Sequence, residues 1–295
     1  MTGQLNINRL REFPMWRALL VLFGALLFGL VVSAFCSGWL GSAAGWEAPA
    51  VMKTATVMQN ALMFMVPALL TGFVFYGKAF RFVGLSKKPP MSAIVWMLVV
   101  YVAMTPAMNW LVAWNASVSL PESMAPLEQW LKAQEMGAQE ATSQVVDVSS
   151  PFDLCLTILL VGILTGLCEE TFFRGALQQI FICGTKKGHL AVWISALIFS
   201  AMHFQFYGFV PRLVLGAFFG YMYLWSGSLW VPVLGHAINN TAVVVLTWLK
   251  EQGAAASIDS VGVAESSVPY AAIASVLATL ALMIVFRAYN AKGNG

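Results

Sequence analysis

The sequence predicts an all-α, polytopic integral membrane protein, a helical bundle with about eight transmembrane helices. Of its 295 residues, 59% are hydrophobic and only 10% are charged. Soluble domains of this length carry about 25% charged residues, so the chain has too little polar surface for a soluble globule. Long apolar runs recur along the chain, as expected for membrane-spanning helices. The net charge of +3 is small and the basic residues form no single patch, so nucleic-acid binding has no support.

The apolar runs define the predicted helices. They cover residues 18–35, 61–80, 92–114, 154–183, 190–206, 209–225, 229–249 and 270–286. The first run follows Arg9, Arg11 and Arg17 and resembles a signal peptide. Its apolar core is longer than the roughly 7 to 15 residues of a secretory signal, so we expect a retained helix. The stretch 38–59 between the first two runs is expected to be a short polar connection.

The basic residues predict the orientation in the membrane. An even number of spans places both termini on one side, and most of the 16 Lys and Arg residues fall on that side with a single acid, Glu12. The positive-inside rule therefore places both termini in the cytoplasm, in what we expect to be a bacterial inner membrane. The acidic segment 115–151 is expected outside, where residues 121–140 have the apolar spacing of an amphipathic surface helix.

Three ionisable residues interrupt the fourth apolar run, Glu169, Glu170 and Arg174. A charge at the bilayer centre costs roughly 2.5 to 3.5 kcal/mol, which indicates a functional site. Glu170 and Arg174 are four residues apart in the order that favours an ion pair along one helical face. Glu169 is turned by about 100° from Glu170 and is therefore free to contact a water, a metal or a histidine. The alternative is a purely structural charge network that locks helices together.

Two of the three histidines lie in separate predicted membrane helices. His203 lies late in the fifth run, and His236 and Asn240 lie four residues apart in the seventh. These groups and Glu169 could together activate one water molecule. One route uses a divalent metal such as Zn²⁺, held by Glu169, His203 and His236, and the other uses the glutamate as general base without a metal. Asn240 and the remaining histidine could stabilise an oxyanion.

Three motifs thus follow one another on successive predicted helices. They are Glu169-Glu170-xxx-Arg174, Phe199-xxx-His203 and His236-xxx-Asn240. In this order they resemble the signature motifs of the CPBP intramembrane proteases, which comprise the type II CAAX prenyl endopeptidases and the bacteriocin-processing and immunity-associated Abi proteins. The resemblance covers about residues 157–247.

The resemblance implies a set of roles for these residues. Glu169 and His203 would activate the attacking water, and His236 and Asn240 would stabilise the tetrahedral intermediate. Families of this kind are labelled metalloproteases, although a metal-free glutamate mechanism is also argued for them. The implied function is hydrolysis of a peptide bond in a membrane-associated protein or in a prenylated or bacteriocin-like peptide.

Glu170 and Arg174 would support this site. On this interpretation the chain is one bundle, in which residues 1–151 supply three helices and the acidic outer loop and residues 152–295 form the catalytic core of five helices. The expected partners are the lipid bilayer and a membrane-associated peptide or protein substrate. One alternative is a non-catalytic membrane immunity or interaction protein on the same scaffold. Another is a transporter or proton pathway that uses the same glutamates and histidines.

Two further patterns lie in the sixth run. Gly216 and Gly220 form a GxxxG motif, which predicts close helix packing within the bundle rather than dimerisation. Arg212, near the start of the run, is predicted to be an interfacial anchor, with contact to a substrate carboxylate as the alternative.

Overall fold

A computed structural model of the chain describes residues 14–44, 49–253 and 270–293. Within these ranges the ordered elements are helices, and none of the described residues forms a strand. The helices are α1 (Met15–Ala44), α2 (Ala50–Tyr76), α3 (Ala79–Phe82), α4 (Met91–Ala116), α5 (Ala125–Val146), α6 (Pro151–Thr185), α7 (Gly188–Ala201), α8 (Phe209–Ser226), α9 (Trp230–Glu251) and α10 (Tyr270–Gly293). The basic N-terminal residues Arg9 and Arg11 and most of the connection after α9 lie outside the described residues.

The all-α polytopic membrane class predicted from the sequence is confirmed. In the described part of the chain, 6 helices are long and apolar enough to cross a membrane, namely α1, α2, α4, α6, α9 and α10. The other two predicted spans correspond to α7 and α8, with 14 and 18 residues. At 1.5 Å per residue α7 is only about 21 Å long, shorter than a hydrocarbon core of about 30 Å.

The fifth predicted helix ends earlier than expected. It was expected to continue to residue 206, but α7 ends at Ala201. Phe204 adopts a positive φ of 54°, a left-handed conformation that interrupts a right-handed helix. The residues after Ala201 are mostly apolar and contain neither Gly nor Pro before Gly208, so the sequence offers no stop signal there. His203 therefore lies in a turn beyond α7 rather than inside it.

The polar connection expected at 38–59 is largely helical. Helix α1 continues to Ala44, and α2 begins well before the apolar run at residue 61. Lys53 in α2 is fully buried. Its Nζ donates to Asp153 Oδ1 at 2.6 Å and to the Asp147 carbonyl oxygen at 2.8 Å. The partner that compensates this buried charge lies 100 positions away in the chain. The residues around Lys53 therefore did not indicate that Lys53 is buried.

Helix α6 lies at the centre of the bundle and packs against α2, α7, α8 and α9. Two wider π-helical segments interrupt its α-helical course, Ile158–Leu164 and Thr171–Gln178. The α-helical turn between them, Thr165–Glu170, ends on the two glutamates. One π-helical segment precedes Glu169 and Glu170 and the other follows them and contains Arg174. Since π-helical turns are frequent at functional sites, this arrangement indicates a functional role for this part of α6.

The GxxxG motif of α8 packs against α6 within the chain, as predicted. Arg174 Nη2 donates to the Gly216 carbonyl oxygen at 2.8 Å, and Gln178 Nε2 donates to the Gly220 carbonyl oxygen at 3.1 Å. A Cβ at Gly216 would lie 3.1 Å from Phe199 Cδ1 and 3.3 Å from Arg174 Nη2. The glycines therefore let the α8 backbone approach close enough to bind the polar side chains of α6.

The helix predicted in the acidic outer segment is confirmed as α5, which is preceded by a 3₁₀ turn at Glu122–Met124. It packs against the first part of α2. On its surface Lys132 Nζ lies 2.8 Å from Glu128 Oε1, and this hydrogen bond lowers the pKa of Glu128.

Candidate active site

A chain of polar contacts joins α6 to α9. Arg174 Nη1 donates to Glu170 Oε1 at 2.7 Å, which forms the ion pair predicted from their spacing. His236 Nδ1 lies 2.7 Å from the same carboxylate oxygen. The other ring nitrogen of His236, Nε2, lies 3.7 Å from Glu169 Oε2. The two neighbouring glutamates therefore hold opposite sides of one imidazole.

The contacts to Glu170 place a proton on Nδ1 of His236. A carboxylate paired with Arg174 accepts hydrogen bonds, so the 2.7 Å contact requires the proton to be on Nδ1 of His236. Nε2 is then the nitrogen directed towards Glu169. The ring of Phe219 stacks on the imidazole at a centroid distance of 5.3 Å and an interplanar angle of 17°. His236 is thus fixed in position and in orientation.

Exposure separates the two glutamates. Glu170 and Arg174 are 0% exposed, whereas Glu169 retains 8% and His236 retains 5% of its surface. A group that activates a water molecule must be accessible to water, whereas a group that only supports the activating group can be fully buried. The burial pattern therefore agrees with the division of roles that the family resemblance implied.

Two glycines of α6 allow α9 to approach the charged motif. A Cβ at Gly166 would lie 3.2 Å from the Ala237 backbone nitrogen, and a Cβ at Gly162 would lie 2.5 Å from Thr241 Oγ1. Any larger residue would push the two helices apart. Glu169 and Glu170 contact His236 across this interface, and the glycines set the distance between α6 and α9 on which these contacts depend. Neither glycine was identified from the sequence, since a glycine in an apolar run has many uses.

His203 lies beside this cluster without a direct bond to it among the described residues. Its Nδ1 lies 2.8 Å from the Phe199 carbonyl oxygen, which can only accept, so Nδ1 carries the proton and Nε2 is left as the acceptor. The ring of Phe199 contacts His203 and His236 at centroid distances of 5.0 Å and 6.0 Å. The guanidinium of Arg174 also lies over this ring, at 4.7 Å. Phe199 is thus the shared neighbour of the three residues.

Asn240 lies one helical turn after His236. Its Nδ2 donates to the Val161 carbonyl oxygen at 3.4 Å, a long and therefore weak hydrogen bond. Its Oδ1 accepts from Asn239 Nδ2 at 3.4 Å, and Asn239 in turn accepts from the Tyr101 hydroxyl at 3.1 Å. The Asn240 amide is therefore held loosely enough to exchange its carbonyl partner for another acceptor. Tyr101 was missed at the sequence level, because nothing in its apolar run distinguishes it.

The side chains do not fit the tentative metal site. Within the described ranges, no three His, Cys, Asp or Glu side chains are grouped so that they could hold a metal ion. Glu169 and His236 are brought together, but His203 does not complete the set, and a catalytic zinc site uses three protein ligands. The arrangement present is a carboxylate, two oriented imidazoles and an amide.

Fold and site together describe a multi-pass membrane protein with a buried Glu–His–Arg cluster between α6 and α9. Residues 151–242 match the family described as type II CAAX prenyl endopeptidase Rce1-like. This segment begins with α6, ends in α9 and contains all the site residues predicted from the sequence. The resemblance to the CPBP intramembrane proteases, which include these endopeptidases, is therefore confirmed for this part of the chain.

Two curated relatives align with part of the chain. The uncharacterized protein YpbD of Bacillus subtilis (strain 168) is 33% identical over 85 residues, which cover 28% of this chain and 40% of that protein. An uncharacterized 24.3 kDa protein of Escherichia coli is 35% identical over 101 residues, which cover 32% of this chain and 45% of that protein. The chain thus spans less than half the length of either relative. No solved structure matches the chain.

Proposed function

We propose that this protein is an intramembrane endopeptidase that hydrolyses a peptide bond of a membrane-associated substrate with a water activated by Glu169. The observation that carries the proposal is the contact chain from Arg174 through Glu170 and His236 to Glu169, with distances of 2.7, 2.7 and 3.7 Å. It aligns one partly accessible carboxylate with an oriented imidazole in an otherwise apolar bundle. The family match of residues 151–242 supports the same class of reaction.

In the proposed first step, a water lies between the Glu169 carboxylate and Nε2 of His203. Glu169 takes a proton from the water as the water oxygen adds to the substrate carbonyl carbon, and the carbonyl electron pair moves to the oxygen. His203 is suited to hold the water because its Nδ1 proton is committed to Phe199 and its Nε2 can only accept. A positioned general base of this kind contributes roughly 10²- to 10⁴-fold to the rate.

In the proposed second step, the tetrahedral intermediate is stabilised and collapses. Asn240 Nδ2 donates a hydrogen bond to the oxyanion, and His236, which enters the reaction with a proton on each ring nitrogen and keeps both, donates another from Nε2. Glu170 Oε1 accepts from Nδ1 of His236 and from Nη1 of Arg174 and so holds the ring in place. The carbon–nitrogen bond breaks as the proton held by Glu169 moves to the leaving amine, which restores the carboxylate.

We propose a bacterial cell membrane as the location, with both termini in the cytoplasm. Contacts between connections predicted on the same side support their grouping on one side. Lys87 Nζ, in a predicted cytoplasmic connection, donates to the Ser226 carbonyl oxygen in another, at 3.1 Å. Lys53, in a segment predicted outside, pairs with Asp153, two residues after the predicted outer segment 115–151. The substrate would be a membrane-associated protein or a prenylated or bacteriocin-like peptide.

The test is cleavage by purified protein in lipid vesicles. Matched fluorogenic peptides with and without a prenylated cysteine would be incubated with the wild-type protein and with Glu169→Gln. We expect the wild type to cleave at least one series and Glu169→Gln to cleave none. A Glu169→Gln protein with wild-type turnover would overturn the proposal. Cleavage of only one series would identify the substrate class.

A further inference from the structure

Arg212, at the start of α8, is a cation without a direct anionic partner. Its guanidinium Nη2 donates to Gln205 Oε1 at 2.7 Å. Its Nη1 is buried and has no hydrogen-bond partner, and Arg212 forms no ion pair among the described residues. A buried guanidinium nitrogen with no acceptor is costly. The predicted interfacial anchor, whose charge would reach into the aqueous phase, does not describe this residue.

The Gln205 amide bridges Arg212 and Glu135. Gln205 Nε2 donates to Glu135 Oε1 of α5 at 3.1 Å, while its Oε1 accepts from Arg212. The neutral amide therefore fixes the guanidinium without neutralising it. Gly208 makes room for this arrangement, because a Cβ there would lie 2.7 Å from Arg212 Nη2. The guanidinium is held rigidly, with one nitrogen left to bind another group.

This unpartnered nitrogen belongs to a side chain close to the candidate active site. Gln205, which holds Arg212, follows His203 by two residues in the same turn. The charge of Arg212 interacts electrostatically most with Glu135 and also with Glu169 and His203. A group bound to Arg212 would consequently lie near the carboxylate proposed to activate water.

We propose that Arg212 binds a carboxylate of the peptide substrate through Nη1 and so positions the scissile bond near Glu169. Carboxylates form strong hydrogen bonds with guanidinium groups, and a bound carboxylate would supply the acceptor that Nη1 lacks among the described residues. The carboxylate has two possible sources, the C-terminus of the substrate or an Asp or Glu side chain close to the cleaved bond. The proposal rests on the proposed peptidase function and adds a substrate preference to it.

Peptide binding tests the proposal without turnover. Three labelled peptides of one sequence would be titrated against Glu169→Gln protein in vesicles: a free C-terminal acid, a C-terminal amide, and an amide with one Glu beside the cleavage position. We expect one of the two carboxylate peptides to bind roughly 10- to 100-fold more tightly than the plain amide, as for a charged hydrogen bond. The peptide that binds more tightly identifies the source.

Variants of Arg212 in the same background establish the contact. Arg212→Gln is expected to bind all three peptides alike, and Arg212→Lys to retain part of the preference. Arg81, an exposed cation near the predicted cytoplasmic surface, provides the control, since Arg81→Gln removes the same charge from a distant position. Each variant would be checked for its helical content by circular dichroism.

Several results would overturn the proposal. They are equal affinity for the three peptides, no binding of any of them, and a preference that survives in folded Arg212→Gln protein. The peptidase function fails separately. A wild-type protein that binds the carboxylate peptide through Arg212 but never hydrolyses a peptide would overturn that function and leave the carboxylate site standing.

Discussion

His236 Nδ1 lies 2.7 Å from Glu170 Oε1, although the two residues are 66 positions apart in the chain. The contact joins the second turn of α9 to the central helix α6, and it orients the imidazole so that Nε2 faces Glu169. The same oxygen of Glu170 accepts from Arg174. One buried carboxylate oxygen therefore holds both a buried cation and a candidate catalytic ring, so a replacement of Glu170 should change stability and activity together.

Replacement of Glu169 should abolish activity but not folding. Glu169→Gln keeps the size of the side chain and removes the proposed base, so we expect cleavage to fall by roughly 10²- to 10⁴-fold. The thermal unfolding midpoint should change little, because no described hydrogen bond shorter than the 3.7 Å contact to His236 is lost. Glu140→Gln, on the exposed surface of α5, is the control. A large loss of stability in Glu169→Gln would instead indicate a structural charge network.

Replacement of Glu170 should reduce stability. Glu170→Ala leaves Arg174 fully buried with no carboxylate, a change that costs roughly 3–5 kcal/mol in the free energy of unfolding. Denaturant titration in mixed micelles would measure it. The matched control is Glu128→Ala, which removes the partner of the exposed Lys132 on α5 and should have a much smaller effect. Equal stabilities of the two variants would contradict this prediction.

Replacement of Asp153 should lower the free energy of unfolding more than replacement of its partner Lys53. Lys53 is 0% exposed and the Asp153 side chain is 18% exposed. Asp153→Asn leaves an uncompensated charge that cannot reach water, so we expect a loss near the lower end of roughly 3–5 kcal/mol. Lys53→Met leaves an aspartate that can reach water and still accepts from the Ser149 backbone nitrogen, so its effect should be smaller. The reverse order in unfolding titrations would show that the burial assigned to Lys53 is wrong.

His203 should affect turnover more than substrate affinity. Gln can replace the hydrogen-bonding reach of an imidazole but not its basicity, so His203→Gln should lower kcat by roughly 100-fold with a small change in KM. His189→Gln is the control, because His189 lies at the exposed start of α7 and contacts Tyr221 instead of the site. If KM rises and kcat is retained, His203 binds substrate and does not hold the attacking water.

Metal removal should leave the activity unchanged. The proposed reaction uses only Glu169, the two imidazoles and Asn240, and no three ligands are grouped for a metal in the described residues. Cleavage should therefore persist after extensive treatment with a chelator. Elemental analysis of the purified wild type and of His203→Ala should give the same substoichiometric metal content. Stoichiometric zinc in the wild type that is lost in His203→Ala would restore the metal mechanism.

The sequence predicted the pairs that depend on spacing within one helix. The Glu170–Arg174 ion pair and the GxxxG packing were both identified, because residues four apart on a helix share a face whatever surrounds them. The end of α7 was not identified, since no Gly or Pro marks it and the connection that follows is held by a residue distant in sequence. Asn115 of α4 accepts from the Val210 backbone nitrogen at 2.9 Å and donates to the Phe206 carbonyl oxygen at 3.2 Å.

The sequence by itself determined the class of protein, the order of its helices and the identity of the charged residues in the membrane, because hydrophobicity and helical periodicity are local properties. Only the tertiary structure decided which nitrogen of His236 faces which glutamate, that Lys53 is buried against Asp153, and that Arg212 is tied to Gln205. The first two join residues that are distant in sequence, and the third joins residues on either side of the start of α8, so the packing of the chain sets them. Glu169 and Glu170 are identical in type and adjacent in the chain, and only their burial and their contacts in the folded protein distinguish them.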